Sequence, residues 1–434
     1  MPTAEQRERA AGLLRFIDAS PSPWHAVATA VARLQQAGFT LLDEREPWQL
    51  KPGGHYAVVR GGSSLIAFVI GSAPPAGAGI RIVGAHTDSP GLRLKPNAPH
   101  VADGMLRLGV EVYGGPILAS FADRDLGLAG RVAIREGGKT TMLPVRTGPV
   151  ARLANLAIHM NREVNESGLR FHRQNELPLL MSVAVADEKP DVAWRRFLAA
   201  QAGVADTVIA DWELGVYDTQ PGAFWGPHEE FIAAARIDNL ASCHAAVEAI
   251  SGVVESIAPP SVTCIVALFD HEEVGSGSAA GAGGSFLSDV VARLCPAPED
   301  RRRALSAGFF VSADMAHAWH PNYPAAYEPQ HRVMVNAGPV IKTHVGQRYS
   351  TGAESAARFA GWCESAGVPV QAYSHRSDLG CGSTIGPIVA AQLGMAAVDV
   401  GCPMWSMHSA RESAGVADHD AMTRMLYSFF AAAG

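Results

Sequence analysis

The sequence predicts an α/β fold: a mixed, largely parallel sheet flanked by helices, with a β-rich domain inserted into it. Three observations carry this expectation. Continuous apolar runs over residues 65–71, 80–85 and 262–269 read as strands covered on both faces. Helical stretches alternate with strand-like runs through the second half of the chain. Between about residues 96 and 230 the texture changes to short alternating runs divided by glycine-rich turns, which reads as antiparallel strands with half-exposed faces. The 434 residues therefore divide into a discontinuous unit, residues 1–95 and 231–434, and an insert, residues 96–230.

The elements follow in order. A first helix is expected over residues 4–18, stopped by Ala19-Ser20-Pro21-Ser22-Pro23, and a second over residues 24–37. The strand at 80–85 runs into His86-Thr87-Asp88-Ser89-Pro90. Within the insert, residues 106–113 and 130–134 alternate as half-buried strands do. Helices over 239–254, 286–294 and 353–366 then precede strands over 262–269, 309–312 and 368–373. A strand over 396–400 and a closing helix over 418–433 complete the pattern. Gly281-Ala282-Gly283-Gly284 lacks the spacing and the lysine of a phosphate-binding loop.

The bulk numbers exclude several function classes. A net charge of −7 without a long basic run argues against nucleic acid or an anionic membrane as the main partner. The start, Met1-Pro2-Thr3-Ala4-Glu5-Gln6-Arg7, is too polar for a secretory signal, and no apolar run approaches the roughly 20 residues of a membrane span. Six cysteines form no C-x-x-C pair and sit mostly in apolar or glycine-rich contexts. They read as reduced, buried thiols of a cytoplasmic protein.

The chemistry gathers where strands end. Asp270-His271-Glu272-Glu273-Val274-Gly275 follows the apolar run 262–269. Adjacent carboxylates there lose hydration and repel, which a divalent metal offsets, one glutamate binding it and the other handling protons. His86 and Asp88 follow the strand at 80–85, Asp314 the strand at 309–312, and His408 the strand at 396–400 after a short loop. Asp238 precedes the helix at 239–254. In open α/β sheets ligands collect at that edge. Taken singly, Asp238 also reads as a helix cap and either histidine as a surface or core residue. Together, His86, Asp238, Glu273, Asp314 and His408 suit two metals about 3.5–4 Å apart with one bridging carboxylate. Mixed nitrogen and oxygen donors favour zinc, with manganese or cobalt as alternatives.

Six motifs in this order resemble the aspartyl aminopeptidase family of dinuclear-zinc exopeptidases. They are Gly84-Ala85-His86-Thr87-Asp88-Ser89-Pro90, Arg236-Ile237-Asp238-Asn239-Leu240, Asp270-His271-Glu272-Glu273-Val274-Gly275-Ser276, Ser312-Ala313-Asp314-Met315-Ala316-His317, Cys381-Gly382-Ser383-Thr384-Ile385-Gly386-Pro387 and Met407-His408-Ser409-Ala410-Arg411-Glu412. The resemblance spans nearly the whole chain. It implies two zinc ions per subunit, with Asp238 bridging, His86 and Asp314 on one ion, and Glu273 and His408 on the other. It makes Asp88 the partner that orients His86, and Glu272 the general base that shuttles a proton to the leaving amine. It further implies that the insert mediates dimerisation within a twelve-subunit assembly, with His159 reaching a neighbouring active site. Lys342 would meet an acidic first side chain of the substrate, and Ser383 is carried over as a substrate contact. The expected substrates are peptides with free N-termini, with a preference for N-terminal Asp or Glu. Two other readings stand beside this one: a related dinuclear-metal hydrolase that removes acyl groups from amino acids, and a non-catalytic structural homologue.

Overall fold

A computed structural model of the chain describes residues 1–256 and 259–432. These fall into two compact units. The first comprises Met1–Asp88, Gly222–Met407 and Glu412–Gly434, and the second Ser89–Pro221 with His408–Arg411.

The first unit is built on a nine-stranded mixed sheet. Its spatial order is Thr40–Leu42, His55–Arg60, Ser64–Val69, Thr263–Phe269, Ile80–His86, Phe309–Ala313, Ala396–Gly401, Val340–Thr343 and Gln371–Ser374. The four central strands, from Thr263–Phe269 to Ala396–Gly401, run parallel, so their carboxyl ends share one edge. Every residue of Thr263–Phe269 and of Ile80–His86 is buried, which explains why these strands are largely apolar, Arg81 apart, rather than alternating. On one face the sheet packs against Ala4–Ala19, Pro23–Gln36, Ile237–Val254, Ala353–Ser365 and Val416–Ala431, and residues such as Phe16, Val266, Val311 and Phe429 form that core. On the other face Phe68, Ile82, Ile265 and Phe310 meet Phe286–Leu294 and Ile385–Leu393.

Helix ends follow local chemistry. Thr3 and Gln6 form a reciprocal capping box at the first helix, satisfying two orphan N–H groups. Pro23 opens the second helix, where its missing N–H costs nothing. The final helix runs Val416–Ala431, and the buried Arg81 donates to the carbonyls of Phe429 and Ala432 at its end. The last expected helical residue, Ala433, lies outside the described residues.

The second unit carries a six-stranded antiparallel sheet: Lys139–Arg146, Leu126–Glu136, Ile209–Asp218, Gly91–Ala102, Met105–Tyr113 and Leu179–Val183. Alternating burial along Met105–Tyr113 matches the alternation in its sequence. Helix Pro190–Ala202 covers the core through the fully buried Trp194 and Leu198. That helix was not expected, nor were helices Pro298–Ser306 and Ile385–Leu393. Helix Pro298–Ser306 is strongly polar and buries Ala304, so it lacks an apolar stripe; Ile385–Leu393 is apolar except for Gln392, so it shows no helical period. Among the described residues, no helix is long and apolar enough to cross a membrane.

Candidate metal centre

His86 closes strand Ile80–His86, and the parallel neighbour Phe269 closes Thr263–Phe269 beside it. The backbone N–H of Thr87 donates to the Phe269 carbonyl at 2.7 Å, tying the two exits together. Glu272 and Glu273 sit in the single turn Glu272–Val274, flanked by left-handed conformations at His271 and Gly275. That sharp reversal turns both carboxylates back over the strand ends.

Asp88 builds this corner. It is fully buried, and its carboxylate accepts the backbone N–H of Glu272 and of Glu273, both at 3.1 Å. Its own carbonyl oxygen faces His86 Nδ1 at 3.0 Å, while its carboxylate Oδ1 lies 3.5 Å from the same nitrogen. A carbonyl can only accept, so Nδ1 carries a proton and Nε2 points onward. There it lies 3.4 Å from Asp314 Oδ1 and 3.6 Å from Asp238 Oδ1.

Asp238 enters from the first turn of helix Ile237–Val254, where the backbone departs from helical geometry and the Asp238–Asn239 peptide is cis. Its N–H donates to the buried Glu412 at 3.0 Å, and Asn239 Nδ2 donates to the Ala313 carbonyl at 2.9 Å. Cys243 Sγ reaches the His86 carbonyl at 3.0 Å. Glu412 and Cys243 carried no signal as supporting residues in the sequence, because their partners lie far away along the chain. All six cysteines are free thiols.

Asp314 follows strand Phe309–Ala313, its N–H donating to the Val400 carbonyl at 2.9 Å. Lys342 is buried and spends three donor contacts here: Asp314 Oδ2 at 3.2 Å, the Asp314 carbonyl at 3.1 Å and the Met315 carbonyl at 3.1 Å. The expectation for Lys342 concerned substrate; in the fold it is the counter-charge of Asp314.

Within the first unit, His86, Asp238 and Asp314 each offer a donor atom within 4.8 Å of the others, and so do His86, Glu272 and Glu273. A carboxylate oxygen of Asp238 also lies within 4.8 Å of one from Glu273. Charge states follow from crowding. Burial pushes the Glu272 carboxyl up to about 7; His86 opposes this, while Asp314, Asp88 and Asp238 reinforce it. Burial works against a charge on His86, yet Asp314 and Asp88 raise its pKa well above the ordinary range. Burial likewise resists charge on Asp314, but Lys342 and His86 hold its carboxyl below the usual range. A field that attracts a proton to His86 attracts a metal cation to the same nitrogen, and the two compete. Buried carboxylates clustered with an imidazole form a donor set that fits zinc.

The remaining candidates lie elsewhere in the chain. His408 groups with the second unit, where its Nδ1 faces the Gly115 carbonyl at 3.1 Å, leaving Nε2 as the acceptor nitrogen. His159 is exposed in a turn of the second unit, between the exposed apolar residues Ile158 and Met160. Ser383 is exposed, and its hydroxyl donates to the Arg348 carbonyl at 3.2 Å.

A family model described as "Aminopeptidase I zinc metalloprotease (M18)" matches residues 16–430. The chain belongs to the M18 aminopeptidase family. It is 48% identical over 428 residues to the "Probable M18 family aminopeptidase 2" of Stutzerimonas stutzeri (strain A1501), covering 97% of this chain and 98% of that protein. The protein of the same description from Pseudomonas entomophila (strain L48) is 47% identical over 423 residues, covering 97% of each. Among solved structures, the chain is similar to one titled "Cryo-EM structure of the Ape4 and Nbr1 complex", with a TM-score of 0.95, 37% identity and coverage of 98% of this chain and 86% of that one. It is also similar to the "Structure of S. cerevesiae mApe1 dodecamer", with a TM-score of 0.85, 26% identity and coverage of 99% and 97%. The M18 aminopeptidase is thus a zinc metalloprotease, as its motif order implied.

Proposed function

We propose that this M18 aminopeptidase removes the first residue of peptides at a dinuclear zinc centre, with Glu272 as general base. The observation that carries this reading is the convergence of His86, Asp238 and Asp314 donor atoms within 4.8 Å, next to a Glu272 carboxyl raised to about 7. Asp238 would serve both ions, with His86 and Asp314 completing one ligand set and Glu273 and His408 the other, as the resemblance of their motifs implies. When bound, zinc acidifies a water molecule and polarises the scissile carbonyl.

The chain's own residues perform the proton transfers. Glu272, as carboxylate, takes a proton from the attacking water while the water oxygen bonds to the carbonyl carbon. Glu272 then passes that proton to the departing nitrogen as the C–N bond breaks, and the carboxylate is regenerated. Burial, which raises the Glu272 carboxyl, favours its holding the proton between the two steps. Asp88 fixes the turn that carries Glu272 and the tautomer of His86.

Lys342 would supply the positive charge behind a preference for Asp or Glu as the first residue, exchanging one of its backbone carbonyl contacts for the incoming carboxylate while it keeps Asp314. Ser383 is a further substrate contact. The second unit pairs subunits, and His159 completes a neighbour's site. In support, exposed Leu156, Ile158 and Met160 surround His159, an apolar stretch suited to burial against another chain. The dodecameric assembly of the mApe1 relative is the expected state.

The deciding experiment compares hydrolysis of a free-amine peptide with its N-acetylated twin, alongside zinc analysis. Cleavage of the free-amine peptide alone, with two zinc ions per subunit and loss of activity on chelation, is expected. Cleavage of only the blocked twin would make the protein a deacylase, and a protein that binds no zinc would have no such centre.

A further inference from the structure

We propose that Asp399 is a positioning residue that shapes the pocket for the substrate's first side chain. It lies in strand Ala396–Gly401 and is fully buried. A buried carboxylate persists only when its lone pairs are met. Here the donors are neutral and come from two separate loops. Ser350 contributes its backbone N–H at 2.6 Å and its hydroxyl at 2.7 Å, both to Oδ2. Thr384 donates its hydroxyl to Oδ1. The main-chain N–H of Asp399 donates in turn to Thr351 Oγ1 at 2.9 Å.

The two loops border Lys342. Asp399 and Lys342 are cross-strand partners in the antiparallel pair of Val340–Thr343 with Ala396–Gly401, so both side chains leave the sheet on the same face. Tyr349, next to Ser350, places its ring 5.2 Å from Lys342 Nζ. Cys381 Sγ donates to Tyr349 Oη at 3.5 Å, and Ser383 Oγ to the Arg348 carbonyl at 3.2 Å. Asp399 therefore pins both edges of the wall around the Lys342 ammonium. Residue 386 supplies an independent sign. A Cβ on Gly386 would stand 2.2 Å from Asp399 Oδ2 and 2.4 Å from Oδ1, so the helix that Thr384 caps approaches this carboxylate as closely as a glycine allows.

The inference rests on the reading that Lys342 faces the first side chain. Asparagine at 399 offers one acceptor oxygen in place of two, so one loop loses its anchor. The wall then loosens while the groups around His86 keep theirs. The consequence is weaker and less selective substrate binding with the chemical step intact.

The test uses the full-length, zinc-loaded protein and aminoacyl 4-nitroanilides of Asp, Glu, Ala and Leu. For Asp399→Asn, the KM of the preferred substrates rises about tenfold, the spread of KM across the four narrows, kcat changes less than threefold, and zinc content is unchanged. Thr384→Val, which removes one clamp hydroxyl at nearly constant volume, shows the same direction of change, and Thr384→Ser restores wild-type KM. If Asp399→Asn does not fold, the Thr384 pair decides. Unchanged KM values in folded Thr384→Val protein, or a parallel loss of kcat and zinc for every substrate, would overturn the proposal. Lys342→Met separates the two ideas. Selectivity that survives Lys342→Met but is lost in Thr384→Val removes the role of the ammonium and keeps the clamp.

Discussion

The Oδ1 atom of Asp88 accepts the backbone N–H of Glu272 at 3.1 Å, and this one contact aims the proposed base. The other oxygen holds the N–H of Glu273 equally closely, so a single carboxylate fixes the turn that carries both glutamates. From sequence, Asp88 was expected to orient His86. Its carbonyl oxygen faces His86 Nδ1 at 3.0 Å, and its side chain holds the glutamate turn.

Replacing Asp88 by alanine removes both acceptors and leaves two half-buried N–H groups unmet. Such supporting partners are worth roughly 10–100-fold in metal affinity or activity. Zinc titration of Asp88→Ala is expected to show weakening in that range, with Asp88→Asn, which keeps one acceptor, falling between. Wild-type affinity in both variants would contradict this account.

Glu272→Gln keeps the shape of the side chain and removes its ability to take a proton. Loss of a general base costs about 10²–10⁴ in rate. The variant should bind zinc as the wild type does, with kcat lower by that factor, measured by paired metal analysis and steady-state kinetics.

Gly401 touches the site by its lack of a side chain. A Cβ there would fall 1.7 Å from the Asp314 carbonyl oxygen, which is backbone and has no room to yield. Gly401→Ala should therefore displace Asp314, lowering zinc affinity more than it lowers the unfolding midpoint. Overpacking of this kind costs about 1–3 kcal/mol.

Acid sensitivity is expected from the buried pair His244 and His419. Arg33 Nη1 donates to His244 Nε2 at 2.8 Å, which leaves the proton on His244 Nδ1, and that nitrogen donates to His419 Nε2 at 2.9 Å. Burial pushes the His419 pKa down from 6.5 to about 3, and Arg9 and Arg33 add to the effect. Between those values the unfolded chain binds a proton that the folded one refuses. Stability from this group is thus complete above pH 6.5 and is lost as the pH falls towards 3. The slope approaches about 1.4 kcal/mol per pH unit for one proton. Denaturant midpoints measured between pH 7 and 4.5 should fall for the wild type and fall less for His419→Gln, which still accepts from His244.

The sequence by itself determined the most deeply buried strands, because Ser64–Val69, Ile80–His86 and Thr263–Phe269 are buried along their whole length and leave apolar runs that need no partner to be recognised. It also located His86, Asp238, Glu272, Glu273 and Asp314, since polar residues just after such runs, or opening the helix that leads into one, are conspicuous. Tertiary structure alone decided what those residues touch. Asp88 against the glutamate turn, Lys342 against Asp314, and Asp399 against Ser350 and Thr384 are hydrogen bonds between segments tens to hundreds of positions apart. Local composition is blind to them, because their geometry exists only once the strands have taken their places in the sheet. The polar helix Pro298–Ser306 and the mostly apolar Ile385–Leu393 escaped for a related reason: each is held by what packs on it, not by a periodic pattern of its own.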